Sequence, residues 1–401
     1  MRLASRVAAN PSFSSNSTPA LETGKTAARR FTLADIDHRD SNILKGLAIA
    51  AIVFHNFFHV LSSAHQNEFT FDASRLSDFF GAVVHPPLTI QALFSFFGHF
   101  GVEVFIFLSA YGLTKSHWND TSSWTEFMWG RIKKLYPKFG LVILPWAIAT
   151  CLFVGPIVFF RQSGLELLLM VLGVSTILGF LMPPVGPWWF IPFIMQFYAI
   201  WPAMRKLTAR FGWKGLLVLA ILCRVATYAT FPFLARWRLD LLLTPIGHMT
   251  ELCLGIVAAR YRLRITAPFA FLSGVVLFLG SEYEAMWLFT FLAALLISLW
   301  VYSLVRTHLR KVPLLQRLGE YSLLVFLINA IVRNQFLNYV TSPASQIFWG
   351  CVSAVVSFLI AAIIQDWLLP RPPRATPVPA MHAPKELKPA LNGIRSLEQL
   401  P

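Results

Sequence analysis

Residues 43–63 read ILKGLAIAAIVFHNFFHVLSS. This apolar run is long enough to cross a bilayer, which takes about 20 helical residues. Its only formal charge is Lys45, near the start. Recurrence of such runs decides the matter. Comparable runs lie near 92–114, 139–160, 187–204, 215–233, 242–259, 268–285, 286–305, 320–340 and 346–369. Composition agrees: 56% of the 401 residues are hydrophobic and 13% charged, with 36 Phe and 13 Trp. Soluble domains carry roughly a quarter charged residues. The expected fold is an all-α polytopic membrane protein, with about ten transmembrane helices in one bundle. A secreted disulfide scaffold, a coiled coil and a disordered tail protein are excluded.

The net charge of +15 would suggest nucleic acid in a soluble chain. In a membrane bundle it reports orientation instead, so the expected partner is the lipid bilayer and not nucleic acid. One apolar run, 165–183, is ambiguous. With the N-terminus inside and this run not crossing, Arg75, Arg161, Arg236 and Arg238 fall outside, and Arg224 and Arg333 fall within spans. The remaining 28 of the 34 Lys and Arg then lie inside. A crossing at 165–183 would put every later basic loop outside, against the positive-inside rule. Ten spans with N- and C-termini cytoplasmic fit best. The 165–183 run, closed by Pro183, Pro184 and Pro187, is expected to re-enter or to lie along the outer surface.

Residues 1–42 have no apolar core and read as a disordered basic cytoplasmic tail, in preference to a signal or transit peptide. The membrane domain is expected over 43–369, and 370–401 as a Pro-rich cytoplasmic tail. The 64–91 connection, with Glu68, Asp72 and Asp78 against one Arg, should be an ordered outer loop. Cys151, Cys223, Cys253 and Cys351 lie in separate apolar runs without metal spacing, and read as inert. No bound metal is expected. No repeat of fixed period is present, which disfavours an inverted-repeat transporter.

Ionisable side chains are costly in hydrocarbon, so each one marks a candidate site. Lys45 opens the first span, and His55 lies ten residues on, about 15 Å along a helix. His59 follows at i+4 with Asn56 beside it. His99 and Glu103 form an i,i+4 pair in the second span, and His248 and Glu251 share a face of the sixth. A hydrogen-bonded core role is the favoured reading of His248 and Glu251. The cluster in the first two spans points to chemistry, because one loop joins them and they can pack together. A neutral imidazole there can take a proton from an acceptor hydroxyl as it attacks a thioester. A carboxylate can fix the ring's tautomer and stabilise the imidazolium. The basic loop 129–139, with Arg131, Lys133, Lys134 and Lys138, suits nucleotide phosphates, although positive-inside charge alone explains it equally well.

These residues carry a family pattern. The sequence resembles the acyltransferase-3 family of integral membrane acyltransferases, which includes surface-polysaccharide O-acetylases. ILKGLAIAAIVFHNFFH (43–59) is similar to the first-span signature, a basic residue followed by an apolar run and a His. FFGHFGVEVFIFLSAYGLTKS (96–116) resembles the second-span motif, RIKKLYPKF (131–139) the basic stretch ending in Tyr-Pro, and WWFIPFIMQFYAIWPAMRKL (188–207) the span ending in Pro. LGEYSLLVFLINA (318–330) resembles the penultimate span. The match runs over roughly 40–369. It departs at three points. Nine residues separate Lys45 from His55 where ten is common, Ala110 replaces a usual Gly, and Asn329 stands where many members have His.

The resemblance implies an O-acyltransferase. It would move an acyl group, acetyl in the first instance, from cytoplasmic acyl-CoA to a hydroxyl of a carbohydrate or lipid-linked glycan. His55 and Glu103 would be catalytic, with Glu103 orienting His55 or tuning it. Lys45, Arg131 and Lys134 would bind the donor, and Trp188 and Trp189 could stack on the acceptor. Acyl-CoA (acetyl-CoA) would be a donor substrate rather than a permanently bound cofactor. The location implied is the bacterial inner (cell) membrane, as a multi-pass integral protein. The alternatives are a transporter or flippase with a buried His/Glu path, and a structural membrane partner. No GxxxxGK, HExxH or GxSxG motif is present.

Overall fold

The computed structural model describes residues 31–61, 69–178, 184–237 and 239–369. Residues 1–30 of the tail expected over 1–42, all of the Pro-rich tail expected over 370–401, Glu68, Pro183 and Arg238 lie outside the described residues. Eleven helices have nine residues or more, and no strand occurs among the described residues. They are α1 (His38–Phe58), α2 (Ser74–Val83), α3 (Thr89–Phe97), α4 (Gly101–His117), α5 (Trp124–Val154) and α6 (Phe190–Leu234). After these come α7 (Met249–Arg260), α8 (Ala267–Glu282), α9 (Phe289–Leu309), α10 (Pro313–Phe336) and α11 (Pro343–Ile363).

Seven helical stretches are long and apolar enough to cross a membrane: His38–Phe58, Pro86–His117, Trp124–Val154, Gly186–Phe231, Phe289–Leu309, Pro313–Tyr339 and Pro343–Leu368. Each coincides with one or more of the runs read from the sequence. Gly186–Phe231 covers two of them, because Gly212 has φ 63° and breaks the helix there. Only glycine adopts that backbone without strain. Large apolar side chains on α5, among them Leu152 and Phe153, are almost fully exposed, as expected of a face in contact with lipid chains.

The run 242–259 does not form one long helix. Pro245 and Gly247 interrupt it, and α7 begins only at Met249. The irregular turn ahead of it packs inside the protein, where Leu242, Leu243 and His248 are buried. Non-helical backbone at membrane depth is tolerated only in such surroundings. The ambiguous run contains the helix Leu165–Val171, seven residues long. That is about 10 Å, a third of the hydrocarbon thickness. Gln196 on α6 ties the following turn down, donating to the Gly173 carbonyl at 3.0 Å and to Thr176 Oγ1 at 2.8 Å.

The folded part begins earlier than the boundary expected at 43. The Asp37 side chain accepts from the Asp40 N–H at 2.8 Å, and Asp40 accepts from the Asp37 N–H at 3.2 Å. This reciprocal cap starts α1 at His38. Asp40 is fully buried and also accepts from Arg306 at 2.9 and 2.7 Å, Arg310 at 2.8 Å and the Tyr302 hydroxyl at 2.7 Å. A buried carboxylate needs such partners. Ahead of the cap, Leu33 N–H donates to the Leu263 carbonyl, and Tyr111 and Lys115 donate to the carbonyls of Ile36 and Ala34.

Two close approaches fix the helices that carry the site. α1 and α10 touch backbone to backbone: a Cβ on Gly319 would overlap the Asn42 carbonyl oxygen, and one on Gly46 that of Leu315. α4 and α7 meet at Gly255, where a Cβ would lie 2.8 Å from that of Ala110. Ala110 therefore stands opposite a glycine, and the close packing expected of a Gly at 110 is achieved from the other helix.

Candidate functional site

His55 sits near the C-terminal end of α1 and is 5% exposed. Its Nδ1 lies 3.1 Å from the Ser95 carbonyl oxygen and 3.3 Å from that of Phe94. A carbonyl can only accept, so Nδ1 carries the proton and Nε2 keeps a lone pair. The carbonyls are available because α3 ends at Phe97, and the last carbonyls of a helix have no full set of intrahelical partners. The chain then makes a tight 3-10 turn over Gly98–Phe100 before α4 starts. Gly98 allows the turn to press on α1. A Cβ there would lie 2.6 Å from both the Ala51 carbonyl oxygen and His55 Cβ.

A cavity of about 330 Å³ opens beside His55. His59 and His99 line it as well, with ring centroids 4.9 and 5.4 Å from that of His55. His99 is buried, and neither of its ring nitrogens meets a hydrogen-bond partner among the described residues. Trp189 and Phe69 form another wall, packed edge to face at 5.7 Å. Arg333 closes the far side and donates to the Asn56 carbonyl at 2.9 Å. The Asn56 amide donates to Asn329 Oδ1 at 2.9 Å. Asn329 thus braces the residue next to His55.

Glu103 does not orient His55. It is buried on the first turn of α4, with Oε2 3.2 Å from His248 Nδ1. His248 Nε2 donates to the Leu242 carbonyl at 3.0 Å. With Nε2 protonated, the Nδ1–Glu103 contact needs one further proton, carried by the imidazole or by the carboxyl group. Glu251 lies in the same group, with Arg224 3.6 Å away. The place of the orienting carboxylate beside His55 is taken by the α3 carbonyls. The 3-10 turn is the reason, because it sends His99 toward α1 and Glu103 toward α7.

Among the described residues, Glu103, His248 and Glu251 are the set with metal-ligand composition, their ligand atoms all within 4.8 Å of one another. Arg224, 3.6 Å from Glu251, gives this group a positive neighbour.

Trp188 cannot stack on an acceptor. It is fully buried, and its indole N–H donates to the Leu327 carbonyl at 2.9 Å. Both lie in the 3-10 turn Gly186–Trp189, where successive residues point about 120° apart, so Trp189 faces the cavity while Trp188 faces the core. Trp189 also lies parallel to the His248 ring at 6.3 Å and 17°, so one indole separates the two polar centres.

The basic residues gather at the other end of α1. Lys134 and Lys138 on α5 act electrostatically on Lys45, and Arg131 acts on Lys134. Arg131 donates to His117 Nε2 at 2.9 Å and lies over the Phe127 ring. None of Lys45, Arg131, Lys134 and Lys138 forms an ion pair among the described residues. Helix α1 therefore carries a cluster of cations at one end and the histidine cavity about 15 Å away. Sequence reading missed the Asp40 network, whose only signal was an Asp three residues after an Asp cap. It also missed the Glu103–His248 pair, whose residues are 145 apart.

The model of a family described as an acyltransferase domain, acyltransferase-3, matches residues 38–366. The match begins on the first residue of α1 and ends just past α11. No curated protein and no solved structure matches the chain.

Proposed function

This chain belongs to the acyltransferase-3 family and is a membrane acyltransferase; from that premise we propose that it transfers an acyl group, acetyl in the first instance, from cytoplasmic acyl-CoA to a hydroxyl of a carbohydrate or lipid-linked glycan. The observation that carries this reading is His55, with Nδ1 pinned on the Ser95 and Phe94 carbonyls and the ring lining a cavity. Nε2 takes the proton of the acceptor hydroxyl as its oxygen attacks the thioester carbonyl. The C–S bond breaks, and the thiolate takes up the proton from the imidazolium. The α3 carbonyls hold the ring in one tautomer and favour the transient positive charge, since a helix C-terminus attracts cations.

The cation cluster of Lys45, Arg131 and Lys134 faces the cytoplasm in this reading and binds the donor's phosphates through charge-assisted contacts. The acyl-bearing arm of the donor follows α1 to the cavity, which faces the opposite side, and there Trp189 meets the acceptor. The bacterial inner membrane is the setting we propose. Labelled acyl-CoA supplied to purified membranes, with acylated product measured per folded protein, tests the reading. Loss of transfer in His55→Gln is the expected result.

A further inference from the structure

The permanent charge of Arg333 has no counter-charge among the described residues. Nη1 donates to the Asn56 carbonyl at 2.9 Å, while Nε and Nη2 donate to the Asn334 side-chain oxygen at 3.1 and 2.9 Å. Both partners are neutral, and a neutral amide side chain would also donate to such oxygens. Among the described residues, the cavity wall contains no Asp or Glu. Topology gives no reason for a cation here, because the positive-inside rule works against Lys and Arg at this end of the bundle. Partial burial of a guanidinium is itself unfavourable. What remains is a ligand that brings a negative charge into the cavity.

Trp189, Phe69 and Phe326 give the same cavity flat apolar walls. Aromatic faces, a fixed guanidinium and a basic imidazole nitrogen together match a sugar ring that carries an anion and a free hydroxyl. Resting on the acyl-transfer reading for the role of His55, we propose that the acceptor is an acidic sugar unit, bearing a carboxylate or a phosphate that Arg333 holds while a hydroxyl meets His55. A bidentate guanidinium contact would set which hydroxyl is presented.

The test titrates the purified full-length protein in lipid nanodiscs with methyl glucuronide, glucose 1-phosphate and methyl glucoside at low salt, read by calorimetry. At least one of the two anionic sugars is expected to bind about tenfold or more tighter than methyl glucoside, since a hydrogen bond to a charged group contributes at least that factor. Their order separates a carboxylate from a phosphate as the preferred anion. Arg333→Gln should abolish the preference and Arg333→Lys should keep part of it. Equal binding of all three sugars, no binding of any, or a preference that survives Arg333→Gln overturns the proposal. The wild-type comparison decides even where a variant fails to fold. His55→Gln in the same titration should keep the preference without transferring acyl groups. If wild-type protein prefers acidic sugars but never takes an acyl group from acyl-CoA, the anion site stands and the acyl-transfer reading falls.

Discussion

Replacing His55 by Gln separates chemistry from structure at the one position where both can be read. Gln keeps an N–H donor that can reach the Ser95 carbonyl, 3.1 Å from His55 Nδ1 in the wild type. The buried carbonyl is therefore not orphaned, and the stability cost should stay near about 1 kcal/mol. The lone pair of Nε2 is lost, because an amide neither titrates near neutrality nor accepts a proton in the transition state. General-base assistance contributes about 10²–10⁴-fold, or about 3–5 kcal/mol of barrier. The expected result is near-normal insertion and folding, with acyl transfer reduced by about 10²-fold or more. His59→Gln, which leaves the His55 hydrogen bonds to the α3 carbonyls in place, should be much milder. Labelled acyl-CoA with purified membranes gives the rate, and size-exclusion recovery in detergent gives the folded fraction. Transfer within a few-fold of wild type in folded His55→Gln would refute the assignment and favour a transport or structural role.

Gly98→Ala puts a methyl group where 2.6 Å separates it from the Ala51 carbonyl and from His55 Cβ. It should cost about 1–3 kcal/mol as overpacking and lower activity beyond the folded fraction, and wild-type melting and rate would contradict the close approach. Glu103→Gln can still donate to His248 Nδ1, so transfer should fall less than about tenfold, whereas Glu103→Ala leaves that nitrogen unpaired at about 1–3 kcal/mol. A loss in Glu103→Gln as deep as that of His55→Gln would put Glu103 in the reacting group. Arg131→Ala and Lys134→Ala should weaken apparent acyl-CoA affinity more than they lower protein abundance, with partial recovery in Arg131→Lys if the contact is bidentate. Unchanged affinity in all three would leave these charges to topology alone.

The sequence makes the helices legible because membrane spans are specified by composition over about 20 residues, a signal insensitive to tertiary detail. It is less informative where the backbone departs from an ideal helix. Pro245 and Gly247 lie inside an apolar run, and hydropathy gave no reason to break it. Yet the break places His248 ahead of α7 with its Nε2 on Leu242. The i,i+4 spacing of His99 and Glu103 implied a shared face. The 3-10 turn at Gly98–Phe100 falls just ahead of Glu103, and the two side chains find partners on different helices. His55 was legible because an isolated imidazole in a span is costly wherever it points. Its partners were not, because backbone carbonyls carry no sequence signature. Trp188 and Trp189 look alike in the sequence, and only the direction of the turn separates core from cavity.

The shortened spacing between Lys45 and His55 follows from the same geometry. Ten intervening residues would leave the two side chains within about 20° of each other around α1, while nine place them about 80° apart. On a helix that had to present both to one rigid ligand surface, that rotation would be damaging. Here each reads a different neighbour: Lys45 faces the cations of α5, and His55 faces the end of α3. Gly46, Gly98 and Gly319 clamp α1 between α10 and the 3-10 turn, so the helix cannot turn to bring them into line. In the proposed acyl-transfer reading the two ends act on separate parts of the donor, phosphates at one and the thioester at the other, joined by a flexible arm that tolerates the angle. Distance along the helix, about 15 Å, is the quantity this arrangement holds fixed, and rotation is the one it leaves free.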